Sequence, residues 1–396
     1  MRDTTHERLT QLFLRSLDQD PASLATWLSR VEPVSMRREL RKLLEAHHSQ
    51  RAVVRTGRHD PAEQPPAPPP PRVGGFEIQE KLGEGGMGVV YRATQTDPVE
   101  RQVAVKFLRT ESVSDEAWRD FDFERRTLAR LSHINITRLI DAGATATARP
   151  YVVMEFVEGV PITEYVASRR EDIHGTLHLF LQLCSGIEHA HRHAVVHRDI
   201  KPNNVLISII DGDPVVKIID FGISLALDGQ FRADALLSGT PGYMVPDISG
   251  SGDTQSDVYA LGILLSELLT VVGPRQFGSG GDVRPSALVD ERSHRRRLRG
   301  DLDAIVLAAT EPTADDRYSS VEALRRDIQC FLEQYPVSAR RPSTRYRLTR
   351  FWQRNRAAAT GSILGMLALL LLAWQAVSLV LAKENARENE RIARDA

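Results

Sequence analysis

Cysteine is nearly absent: only Cys184 and Cys330 occur in 396 residues. Two thiols that far apart supply no disulfide framework and fit a reducing compartment, each as a small apolar core residue rather than a reactive group. An excess of charge is lacking too. Lys and Arg total 51 against 52 Asp and Glu, a formal net charge of −1, so no nucleic-acid partner is expected. The N-terminus carries no long apolar run. Its first residues mix charges with apolar side chains at helical spacing, so no signal peptide is expected. What is present is an apolar content of 42%, enough for a sizeable core with extensions.

The densest information lies between residues 197 and 222. His197 to Asn204 reads H-R-D-I-K-P-N-N, and Asp220-Phe221-Gly222 reads D-F-G. A phosphoryl group in transfer needs alignment and charge neutralisation more than covalent help. Asp199 is suited to orient an attacking hydroxyl and take its proton, and Lys201 to reach the transferred phosphate. Asn204 and Asp220 are hard oxygen ligands suited to Mg2+, with Mn2+ able to substitute. His197 and Phe221 are read as packing elements that hold the loop. The plainer reading, polar residues decorating a surface turn, fails because further parts follow in register.

Upstream, Leu82-Gly83-Glu84-Gly85-Gly86-Met87-Gly88 contains G-x-G-x-x-G. Dinucleotide-binding folds share that spacing, but there the glycines open a helix. Here Val89-Val90-Tyr91 follows, then a polar turn, then Val103-Ala104-Val105-Lys106, a hairpin whose second strand carries V-A-V-K. Glycines let backbone amides close over phosphates, and Lys106 is placed to hold them. A helix presenting a carboxylate to Lys106 is expected next, with Glu124 as the candidate.

These motifs together resemble a bacterial eukaryotic-like (Hanks-type) serine/threonine protein kinase of the single-pass membrane type. The resemblance covers 76–336. It implies an α+β, two-lobed protein-kinase fold: an antiparallel β N-lobe over 76–157 and a mostly helical C-lobe over 160–336. It implies that ATP binds against Leu82, Gly83, Gly85, Gly86, Gly88, Val90, Ala104, Lys106, Glu124, Glu155, Val157 and Leu206. Met154 would sit at the back of the nucleotide pocket. Asp257 would anchor the catalytic loop, and His191 would be a packing histidine of the helix leading into it. That reading is preferred to a metal site among His189, His191, His193 and His197, because no carboxylate or cysteine completes a ligand set. Gly239–Tyr243 resembles the substrate-docking end of an activation segment, with Thr240 structural and Ser238 the expected autophosphorylation site. The family's A-P-E is here Val245-Pro246-Asp247, which shortens the side chain expected to pair with Arg317.

Other segments frame the domain. Residues 1–58 show apolar stripes at helical spacing, read either as a helical cap or as a docking module. Residues 59–75 form a Pro-rich spacer. Arg295-Arg296-Arg297 reads as a solvated charge run before a helix over 302–309. The stretch 337–356 is a basic stem carrying Arg340, Arg341, Arg345, Arg347, Arg350, Arg354 and Arg356 without an acid. Then 357–382 contains an uncharged run long enough to cross about 30 Å of hydrocarbon. The arginines on its N-terminal side predict a cytoplasmic kinase domain on the inner face of the cell membrane, and they can lie on anionic headgroups. Residues 383–396 form a short tail on the other side, too small for a sensor domain. Gly361-Ser362-Ile363-Leu364-Gly365 is a small-residue pattern compatible with a homodimer, with plain anchoring as the competing reading.

The expected activity is transfer of the γ-phosphate of ATP to Ser/Thr hydroxyls of proteins, this chain included, in signal transduction. The rival readings are an inactive kinase-fold receptor acting as a nucleotide-dependent scaffold and a small-molecule phosphotransferase. Intact Asp199, Lys106 and Asp220 argue against the first, and the Gly239–Tyr243 segment against the second.

Overall fold

The structure, a computed structural model, describes residues 70–85, 88–108, 125–169, 172–221, 243, 254–272, 284–341 and 343–395. The helical segment expected over 1–58 and most of the Pro-rich spacer lie outside these residues.

A six-stranded sheet comes first: β1 (Arg72–Val73), β2 (Phe76–Gly85), β3 (Gly88–Gln95), β4 (Arg101–Leu108), β5 (Leu139–Ala144) and β6 (Pro150–Glu155). Its order is β1-β2-β3-β4-β6-β5, with every pairing antiparallel. The two-residue period sorts β4 cleanly. Val103, Val105 and Phe107 enter a small core with Phe76, Tyr151 and Val153. Lys106 and Leu108 turn to the opposite face, into the cleft below. At the β2–β3 turn Gly88 adopts φ 154°, and a Cβ there would lie 2.2 Å from the Phe107 carbonyl oxygen. No other residue fits that approach. The sheet begins at Arg72, inside the stretch read as spacer, because Val73 pairs with Phe76 and is buried with it.

The second lobe carries β7 (Val160–Pro161), α1 (Ile162–Arg169), α2 (Ile173–Arg192), β8 (Val205–Ile210), β9 (Asp213–Ile218), α3 (Thr254–Thr270), α4 (Pro285–Leu288), α5 (Arg292–Leu298), α6 (Asp301–Ala309) and α7 (Val321–Leu332). Asp172 caps α2, accepting from the Gly175 N–H at 2.7 Å. Leu177, Phe180, Leu183 and Ile187 then form a fully buried stripe at helical spacing. Cys184 lies in the same stripe, and burial pushes its thiol up, away from reactivity. The arginine run 295–297 is exposed, as read from the sequence, and it lies on a short helix. Buried Leu298 and the Arg295 Nε bond to the Val289 carbonyl at 2.9 Å hold α5 in place.

A seam joins the lobes. Ile136 bridges Ile218 in parallel, the Ile218 N–H donates to the Asn135 carbonyl at 2.8 Å, and the Thr137 N–H donates to the Ile218 carbonyl at 3.0 Å. The Asn135 side chain adds a bond to the Val216 carbonyl at 2.8 Å. Lys217 of β9 reaches Glu155 at the end of β6, 3.0 Å away.

Beyond α7 the chain turns back under Asp327, which accepts from Ser338 N at 2.7 Å, Ser338 Oγ at 2.9 Å and Ala339 N at 2.8 Å. It continues into α8 (Thr344–Arg354) and α9 (Arg356–Asp395). Within α9, Thr360–Lys383 is long and apolar enough to cross a membrane by length and composition.

Candidate active site

The helix α2 ends in a tight turn, and the chain runs at once into the loop 194–204. Asp257, in the first turn of α3, fixes this loop. Its carboxylate accepts the His197 N–H and the Arg198 N–H, each at 2.8 Å, and contacts His191 Nε2 at 2.8 Å. Asp257 is buried, so these bonds replace its hydration. His191 is therefore more than the packing residue read from the sequence: its ring nitrogen holds the anchoring carboxylate. The pinned loop tolerates φ 65° at Arg198, a conformation unusual for a non-glycine residue. The His197 ring is buried 4.7 Å from the Phe221 ring, with Nε2 on the Ile219 carbonyl at 3.0 Å. That ties the catalytic loop to the residues before Asp220.

On this support the polar groups converge. Lys201 Nζ lies 2.7 Å from Asp199 Oδ2. Asn204 Nδ2 donates to the Asp199 carbonyl at 2.7 Å and to Asp199 Oδ2 at 3.0 Å. Both donor hydrogens of that amide are thereby used, and its oxygen is left as an acceptor. Across the cleft, Lys106 of β4 pairs with Asp220 at 3.0 Å. Asp220 stands at φ 59°, next to the buried Phe221. A carboxylate and an amide oxygen form a donor set suited to a hard cation, and the neighbouring ammonium suits phosphate oxygens. The residues present thus fit a magnesium–nucleotide. Apolar residues line the back of the cleft, among them Met154, Val152, Leu128 and Leu139.

The pairing of Val90 with Lys106 and of Ala104 with Met154 sets β3, β4 and β6 in register over the cleft. Leu206 lies on β8, paired with Pro161. The Glu155 side chain is taken by Lys217, and Arg92 stacks over the Phe156 ring at 4.5 Å. Gly86, Glu124, Ser238, Thr240 and Asp247 lie outside the described residues. Tyr243, at the end of the expected docking segment, is buried and donates to Glu267 of α3. Burial raises both the phenol and the Glu267 carboxyl. Arg317 is buried too, giving its guanidinium to the carbonyls of Glu311, Gln255 and Pro312, each at 2.9 Å.

Comparison with known proteins agrees with this arrangement. A model of the protein kinase domain matches residues 76–321. The chain belongs to the protein kinase family. It is 33% identical over 285 residues to the serine/threonine-protein kinase Pkn1 of Myxococcus xanthus, a match covering 68% of this chain and 40% of that protein. It is 34% identical over 271 residues to PrkC of Bacillus subtilis, covering 65% of this chain and 40% of PrkC. The match therefore spans under half the length of these relatives. Among solved structures, the PknI kinase domain of Mycobacterium tuberculosis aligns with a TM-score of 0.52 at 23% identity, over 65% of this chain and 95% of that one, which shows the shared fold.

In this kinase domain sequence reasoning missed two contacts that hold the site, His191 on Asp257 and Asn135 on β9. A histidine six residues before the H-R-D motif was visible, but its partner sits 66 residues away.

Proposed function

We propose that this chain is a membrane-anchored serine/threonine protein kinase that transfers the γ-phosphate of ATP to protein hydroxyls. The observation that carries the reading is the cluster of Asp199, Lys201 and Asn204 on one loop pinned by Asp257. In this reading Asp199 accepts the proton of the attacking hydroxyl while Asn204 and Lys201 hold its carboxylate in place. Lys106 leaves Asp220 to hold the α- and β-phosphates, and Lys201 neutralises charge on the group in flight. Asn204 and Asp220 would hold Mg2+, which supplies charge neutralisation on the phosphates when bound.

Anchoring is supported by the apolar stretch Thr360–Lys383, and the arginines before it favour the cytoplasmic side, where ATP is found, for the kinase domain. Ser238 is the proposed site of autophosphorylation. A phosphate there could pair with Arg198, whose guanidinium forms no ion pair among the described residues. The proposed role of this anchored kinase is signal transduction.

The test is transfer of radiolabelled phosphate from ATP and Mg2+ to a generic protein substrate by the full chain and by Asp199→Asn. The expected result is transfer by the first and near-complete loss in the second, with nucleotide binding retained. A nucleotide-dependent scaffold would bind ATP and transfer nothing in either form.

A further inference from the structure

The basic stem does not hang free below the C-lobe. Asp301, buried at the start of α6, is its socket. Arg340 donates to Asp301 Oδ1 at 2.8 Å, Tyr346 Oη donates to Oδ2 at 2.7 Å, and Arg350 donates to the same oxygen. The Tyr346 hydroxyl also accepts the Val337 N–H at 3.1 Å. Arg354 completes the contact by stacking over Tyr335 at 4.2 Å. Positions 346, 350 and 354 follow one another at helical spacing, so one face of α8 is docked onto the kinase domain.

The opposite face is different in kind. Leu348, Phe351 and Trp352 recur at the same spacing and are 59%, 52% and 43% exposed. Exposed Arg345 and Arg347 flank them. Three large apolar residues on one helical face normally need a partner. What lies next to them names it. Asn355 separates α8 from α9, and the apolar stretch begins at Thr360. Five residues of helix cover about 8 Å, so α8 is held next to the headgroup layer of any bilayer that α9 crosses, where it either lies in that layer or turns away from it. Tryptophan, phenylalanine and leucine with flanking arginine is the composition of a helix lying in an anionic interface.

We propose that α8 is a two-faced bridge: Tyr346 and Arg350 latch it to Asp301 of the C-lobe, while Leu348, Phe351 and Trp352, with Arg345 and Arg347, seat it in the anionic headgroup layer. This rests on the reading that α9 spans the membrane. It divides the stem arginines by task, since Arg340 and Arg350 serve the protein and Arg345 and Arg347 the lipid. The base of the C-lobe is thereby held against the bilayer in one orientation.

The test uses the full chain reconstituted in vesicles, with Trp352 as the sole tryptophan after Trp27, Trp118 and Trp374 are replaced by Phe. In phosphatidylglycerol-containing vesicles, Trp352 is expected to be quenched by lipids with a shallow nitroxide and protected from iodide by at least about threefold relative to the denatured chain. Arg345→Glu with Arg347→Glu should abolish most of that nitroxide quenching. Trp352 that is open to iodide, or shielded from iodide without nitroxide quenching, overturns the proposal; the second result would mean that protein, a second copy included, covers this face. A measurement on the unsubstituted chain guards against a folding defect. Trypsin should cut after Arg345 and Arg347 at least about threefold more slowly in phosphatidylglycerol-containing vesicles than in phosphatidylcholine. Equal cutting overturns the anionic interface. Resistance to carbonate extraction is scored separately, because its loss removes the membrane span itself rather than the role of α8.

Discussion

Asp257 holds the backbone of Arg198 at 2.8 Å, one residue before the proposed base Asp199. The bond fixes a positive φ that the residue would not adopt alone. Asp257→Ala leaves the buried N–H of His197 without its acceptor, at about 1–3 kcal/mol, and the part-buried N–H of Arg198 without its own, at a smaller cost. A thermal melt should show the destabilisation, and phosphate transfer should fall more than tenfold. The KM for ATP should change far less, because most of the proposed nucleotide contacts, Lys106 among them, lie on the N-lobe sheet. A loss confined to ATP affinity would contradict this role.

Asp199→Asn should reduce transfer by about 10²–10⁴ while nucleotide binding stays near the parent value, because in the proposed mechanism the side chain acts on the hydroxyl and not on the nucleotide. Calorimetric titration with ATP beside a radiolabel assay separates the two effects. Activity within about threefold of the parent would remove Asp199 from the chemistry.

The glycines of the β2–β3 hairpin differ in what they tolerate. A Cβ at Gly88 meets the Phe107 carbonyl oxygen at 2.2 Å, whereas one at Gly85 meets nothing within 4 Å. Gly88→Ala is expected to cost at least about 2 kcal/mol, and Gly85→Ala under about 1 kcal/mol. Denaturant unfolding of both variants tests the contrast. Equal stability would mean the strands separate easily at that turn.

Acid should release the stem. Burial pushes the Asp301 carboxyl upward, but bonds from Tyr346, Arg350 and Arg340 outweigh that and hold it below the ordinary carboxylate range. Its contribution to docking is therefore complete above the usual aspartate value and is lost as pH falls through the lowered one. Amides of α8, corrected for intrinsic exchange, should be protected at neutral pH and lose protection only in strong acid. Asp301→Asn should lose protection at neutral pH as well.

Much of the site can be read from the chain alone because its chemistry is local. Asp199, Lys201 and Asn204 fall within six residues, and Asp220 follows close behind. Strand β4 is equally legible, since the alternation of Val103, Val105 and Phe107 reports its buried face directly. The stem is the opposite case. Arginines without nearby acids read as free for the membrane, yet Arg340 and Arg350 find Asp301 at separations of 39 and 49 residues. No periodicity signals a partner at that distance. Helix α5 escaped notice for another reason: its single buried residue, Leu298, is too little to make an apolar stripe.

The seam at Asn135–Thr137 hangs the N-lobe on β9 like a door on one jamb. Strands β5 and β6 sit at the hung edge, with Lys217 and Glu155 as a second pin, while β1 and β2 form the swinging edge. Sliding of one lobe over the other would break the seam's two backbone bonds and the side-chain bonds of Asn135 and Thr137 together, so rotation is the motion that costs least. Rotation about an edge moves distant points furthest. The hairpin at Gly83–Gly88 therefore sweeps the widest arc for a given angle, and a few degrees at the seam open the cleft mouth while hardly disturbing the anchored catalytic loop. Entry and exit of the nucleotide become a matter of leverage, set by where the hinge is fastened.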